Sequence, residues 1–148
     1  MTTQNRKKMN RSYLYSSIFG TSGSTSEAHG KQLYRVLKGL FARTQGRLYR
    51  KGEVIYQPGD VDDSLYYIES GKVKLAYLDE SGRKLTLTIL GEGEIFGEMV
   101  LIGRRKRDLM AQVLQDAVIY EIERTRFLGL LREKPELALE VMELFGRR

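Results

Sequence analysis

The sequence predicts a mainly β member of the α+β class: a double-stranded β-helix, or jelly roll, with a flanking N-terminal helix and C-terminal helices. Three observations predict it. Between Arg47 and Ile122, apolar and polar residues alternate in short runs, the period of half-buried strands. Turn residues close those runs at short intervals, at Pro58-Gly59-Asp60, Ser70-Gly71 and Glu80-Ser81-Gly82. On either side of this region the apolar period changes to that of a helix.

Residues 1–30 are expected to be a disordered, basic tail. Arg6, Lys7, Lys8 and Arg11 come early, and Ser, Thr and Gly dominate as far as Gly30. Such a composition buries too little apolar surface to offset the entropy of ordering it. The domain proper is expected over 31–148. It opens with KQLYRVLKGLFAR, where Leu33, Val36, Leu37, Leu40 and Phe41 line one helical face.

Two short strands follow in GRLYRKGEVIYQPGD. In SLYYIESGKVKLAYLDESGRKLTLTIL the pattern reads as strand, Ser70-Gly71 turn, strand, Glu80-Ser81-Gly82 turn, strand. Val73, Leu75 and Tyr77 alternate with Lys72, Lys74 and Ala76; Leu85, Leu87 and Ile89 alternate with Thr86 and Thr88. Both are expected to be half-buried. A last pair of strands is expected at Met110–Leu114 and Val118–Ile122. The C-terminal part returns to helix, first through Phe127, Leu128, Leu130 and Leu131. After Pro135 the stripe continues through Leu137, Ala138, Val141, Met142 and Phe145. That stripe is the form of a helix that packs against a partner helix.

Composition removes several chemistries. The chain of 148 residues has no cysteine, so thiolate metal sites, iron–sulfur ligation and cysteine nucleophiles are out. The single histidine, His29, lies in the expected tail, which disfavours haem and histidine-cluster metal centres. Asp62-Asp63 and Glu92/Glu94 read as turn acids rather than an acid–base pair. No catalytic set emerges, and the chain is expected not to be an enzyme. No apolar run approaches the roughly 20 residues that span a bilayer, so the expected setting is cytoplasmic with no membrane partner. A net charge of +6 favours anionic partners without naming one.

KGEVIYQPGDVDDSLYYIESGKVKL and GEIFGEMVLIGRRKRDLMAQVLQDAVIYEI carry separated features in a specific order. These are the Gly59 and Gly71 turns, the Phe96-Gly97-Glu98-Met99 box, an arginine before the next strand, and Asp116 between the last strands. In that order they resemble the cyclic nucleotide-binding domain of the catabolite-activator/fumarate-nitrate (Crp/Fnr) family of transcription regulators, over about Leu33 to Phe145.

The resemblance implies a nucleotide site at Phe96, Gly97, Glu98, Met99, Arg107 and Asp108, with cyclic AMP or cyclic GMP as effector. Gly97 would let the box backbone approach the cyclic phosphate, Glu98 would accept from the ribose 2′-hydroxyl, and Arg107 would pair with the phosphate. Leu75, Leu87 and Ile95 are the expected apolar wall. Asp108 and Leu109 stand where the family pattern has a small hydroxyl residue and an alanine. An ionised Asp108 has no proton to donate and repels a phosphate; either the neighbouring cations offset this, or Arg105 takes the phosphate role.

The resemblance also implies a homodimer through the C-terminal helix, with DNA contacted only by a helix-turn-helix that this chain lacks. The expectation is thus the sensory domain of a regulator cut short before its DNA-binding domain. The alternative is a stand-alone interaction module of the same fold with a degenerate pocket.

Overall fold

The computed structural model describes residues 35–39 and 46–146. The expected basic tail, His29 and most of the first helix lie outside these residues; Arg35 to Gly39 are helical, with Leu37 buried. The strands are β1 (Arg47–Tyr49), β2 (Val54–Tyr56), β3 (Ser64–Leu78), β4 (Lys84–Leu90), β5 (Ile95–Phe96) and β6 (Met110–Glu123). A 3₁₀ helix, Glu98–Ile102, follows β5, and α1 (Arg124–Glu133) and α2 (Glu136–Gly146) follow β6. Contacts divide the chain into two units, Phe41–Glu133 and Lys134–Arg148 with Met1–Leu40.

Every strand pairing is antiparallel, in the order β1-β6-β3-β4, with β2 also on β6 and β5 also on β3. This is the mainly β roll that the sequence predicts. Two expected breaks are absent. The sequence implied a turn at Ser70-Gly71 and two strands between Met110 and Ile122; the chain instead runs through both as the single long strands β3 and β6. The reason is a series of register shifts between Ile68 and Val73, which absorb extra residues and bend the ribbon without breaking it. Gly71 sits at the bend with φ 90°. A Cβ there would run into the Asp116 carbonyl and Ala117 across the ladder, so the close crossing needs glycine.

The core lies inside this bent ribbon. Tyr49, Tyr56, Tyr66, Phe96, Val73 and Leu90 are among its buried members, with Leu109 packed alongside. The β3–β4 turn forms as expected, and Asp79 ties it: its carboxylate accepts from the Ser81 and Arg83 backbone N–H groups at 2.9 and 2.8 Å.

The alternation expected for β4 is not seen: Lys84 to Leu87 are exposed, Thr88 and Ile89 are both half-buried, and Leu90 is buried. Leu75 faces Thr88 while Ala76 faces Thr86, so Leu87 is the extra residue of a bulge. Leu85 and Leu87 are 62% and 54% exposed, not half-buried. Leu75 and Ile95 of the expected apolar wall are buried; Leu87 is not.

In α1, Phe127 is fully buried. In α2 the buried face is Leu137, Glu140 and Val141, whereas Met142, expected on the stripe, is 67% exposed.

Candidate functional site

Two segments of opposite charge build the site. The loop after β2 reads PGDVDDS, and the segment before β6 reads RRKRD. Their backbones zip together: Gly59 N–H donates to the Arg107 carbonyl at 2.8 Å, Arg107 N–H to the Asp60 carbonyl at 2.8 Å, and Asp62 N–H to the Arg105 carbonyl at 3.1 Å. Val61 and Lys106 form an isolated antiparallel bridge between them. This pairing sends the Arg107 side chain inward, where the residue is only 5% exposed.

There the guanidinium meets the box. Its Nη1 donates to the Gly97 carbonyl at 3.0 Å, and its Nη2 to the Ser64 carbonyl. Nε and Nη2 together grip the Asp62 carboxylate, with Nε to Oδ2 at 3.1 Å. The Tyr56 ring lies against the guanidinium face, 4.4 Å from its centre, a cation–π contact in a largely dry setting. A guanidinium has five N–H donors, and four are taken by these acceptors.

Gly97 makes the meeting possible. It has φ 79° between β5 and the 3₁₀ helix. A Cβ there would lie 2.9 Å from Arg107 Nη1 and 3.2 Å from the Ser64 carbonyl oxygen. Phe96 anchors the box on its other side, stacked on Tyr66 with ring centres 5.1 Å apart. The Tyr66 hydroxyl donates to Asp62 Oδ2 at 3.4 Å. Burial, then the negative charge of Asp62, pushes that phenol's pKa above its ordinary value.

The remaining expected site residues are more open. Glu98, the first residue of the 3₁₀ helix, is half-buried, and Met99 is 48% exposed. Asp108 faces solvent, its carboxylate 3.6 Å from Arg104 with both side chains about 60% exposed. Arg105, the other residue considered for a phosphate, is 61% exposed and 3.5 Å from Asp63. Asp116 accepts from the Lys51 backbone N–H at 2.8 Å.

The structure therefore brings together Phe96, Gly97 and Arg107, and it adds Asp62, Ser64 and Tyr56, which the sequence reading passed over. Asp62 looked like a turn acid. The available signal was the pairing of an acidic run, DVDD, with a basic run, RRKR, in a chain whose hairpins could align them. Among the described residues no group of acidic or histidine side chains could hold a metal ion. No helix among them is long and apolar enough to cross a membrane. What the arrangement offers chemically is one cation at a glycine turn, held in place by a carboxylate and two carbonyls.

Comparison with known proteins bears on the family and the fold. The model of the cyclic nucleotide-binding domain family matches residues 46–134. The cyclic AMP receptor protein of Thermus thermophilus is 38% identical over 104 residues, 70% of this chain and 48% of that protein. The crystal structure of the Thermus thermophilus catabolite activator protein superposes with a TM-score of 0.67 at 34% identity, over 77% of this chain and 54% of that one. An enzyme is similar as well: the cyclic AMP-bound form of the EAL enzyme Bd1971 superposes with a TM-score of 0.55 at 31% identity, over 70% of this chain and 28% of that one. The chain thus spans about half the length of the curated relative it matches, and the domain occurs in both regulators and enzymes.

Proposed function

The chain belongs to the cyclic nucleotide-binding domain family, and from that membership we propose that it is the ligand-sensing part of a catabolite-activator-type regulator, with cyclic AMP or cyclic GMP as effector. The observation that supports this most is the convergence of the box and Arg107: Nη1 reaches the Gly97 carbonyl at 3.0 Å, beside the backbone that would receive a cyclic phosphate. Phe96 and Gly97 shape the turn, Glu98 accepts from a ribose hydroxyl, and Met99 borders the ligand. Arg107 carries the countercharge. Asp108 is the weakest member of this set, since its carboxylate is turned to Arg104 at the surface. The Arg104 cation beside it offsets part of the repulsion that its sequence position implies.

Sensing in this reading is a population shift, in which the ligand favours one arrangement of the roll and its C-terminal helices. The whole protein would be a cytoplasmic homodimer joined through the C-terminal helix, touching DNA with residues outside these 148. This reading gives the domain no catalytic role of its own.

A second reading has its own support. Arg107 already satisfies four of its donors within the protein, as it would in an interaction module that binds no nucleotide. Thermal melting with cyclic AMP and cyclic GMP separates the two. At a hundredfold excess over Kd, ligand adds about 2.7 kcal/mol of stability. Glu98→Ala should weaken that effect. A melt unmoved by either nucleotide supports the interaction module.

A further inference from the structure

We infer that Asp62 is an internal competitor for the anion that Arg107 receives, and so sets the affinity of the site; this rests on the nucleotide-sensing reading above. A guanidinium grips a carboxylate or phosphate with two parallel bonds along either of two edges, Nη1 with Nη2 or Nε with one Nη. In Arg107 the Nε–Nη2 edge is taken by Asp62. The other Nη2 proton goes to the Ser64 carbonyl, and one Nη1 proton to the Gly97 carbonyl. A single N–H of Nη1 is left over. A cyclic phosphate thus finds one donor free and no edge with two, the Nε–Nη2 edge being held by a like-charged group.

The lock is built by local structure rather than by chance contact. The Asp62 carboxylate also accepts from the Ser64 backbone N–H at 2.8 Å and from the Tyr66 hydroxyl at 3.4 Å. Its backbone is pinned by the Asp62 N–H to Arg105 carbonyl bond at 3.1 Å. Full grip on an incoming phosphate therefore requires the Asp62–Arg107 bonds to open, and the energy of that opening is subtracted from binding. The Asp62 side chain is 26% exposed against 4% for Arg107, so the carboxylate is the partner with room to swing into water.

The test is calorimetric titration of cyclic AMP and of cyclic GMP into the full chain, unsubstituted and as Asp62→Asn. Asparagine keeps the shape and an oxygen acceptor for Arg107 but loses the charge that competes. At least tenfold tighter binding by Asp62→Asn is expected. Equal or weaker binding by a folded Asp62→Asn protein overturns the inference while leaving nucleotide sensing intact. Binding by neither folded protein overturns the sensing reading itself, and the inference with it. If Asp62→Asn does not fold, the Arg107 Nε–H resonance of the unsubstituted protein, followed by NMR through a nucleotide titration, decides the point. Displacement of Asp62 moves that resonance, and a signal unmoved at saturation overturns competition.

Discussion

Replacing Arg107 with methionine tests whether this arginine is a structural keystone. Methionine retains much of the apolar stem and removes the charge. It strands the Asp62 carboxylate and takes the donors from the Ser64 and Gly97 carbonyls. Removing one partner of a buried ion pair costs about 3–5 kcal/mol. The Asp62 side chain is 26% exposed and can be partly rehydrated, which places the loss near the lower end, about 3 kcal/mol. That is a large share of the roughly 5–15 kcal/mol that holds a domain folded.

Urea denaturation followed by circular dichroism reads it directly. With a slope of about 1.5 kcal/mol/M, the midpoint should fall by about 2 M. Arg104→Met is the control: its carboxylate partner is 3.6 Å away, both groups are largely exposed, and the change should stay within about 0.5 kcal/mol. In a double-mutant cycle, Asp62→Ala added to Arg107→Met should recover part of the loss, because the stranded charge is gone. A loss below about 1 kcal/mol for Arg107→Met would refute the assignment of a buried, load-sharing ion pair.

Two further outcomes follow from the geometry. Gly97→Ala forces a side chain into a left-handed backbone and against Arg107 Nη1, so the melt should show a loss of about 2 kcal/mol or more, and any nucleotide binding should weaken. Hydrogen bonds from Ser81 and Arg83 hold the Asp79 carboxyl below its ordinary pKa of 3.8. A carboxyl lowered by folding stabilises above its unfolded pKa and loses that contribution as pH falls through the folded one. The stability difference between the unsubstituted protein and Asp79→Ala should therefore be full near neutrality and shrink below about pH 4; a difference that is constant from pH 6 to pH 3 would contradict this.

Much of the architecture was legible in the residues because its signals are local. Period-2 alternation marked most of the strands, the helical stripe marked α1 and α2, and Glu80-Ser81-Gly82 marked a turn whose bonds span only a few positions. Gly97 was legible for the same reason, since a box of four residues carries its own turn. The misreadings fall where distant strands meet. Gly71 looked like a turn glycine, and only the approach of Asp116 and Ala117 shows it to be the bend of an unbroken strand. Leu87 alternated correctly, but a bulge set by pairing with β3 turned it to solvent.

The division is clearest at the site itself. Residue order alone carried the mainly β class, the family resemblance, and the presence of a glycine box followed by an arginine, because these depend on short-range patterning. Which acid holds that arginine could not be read there. Asp62 and Arg107 are 45 positions apart, and nothing local distinguishes Asp62 from Asp63, or Arg107 from Arg104 and Arg105. Their pairing was decided by the tertiary zip of two loops, which buries one cation of a charged run and leaves its neighbours in water. A buried guanidinium must find acceptors for its donors, and only the folded chain could say that Asp62, Ser64 and Gly97 would be the ones within reach.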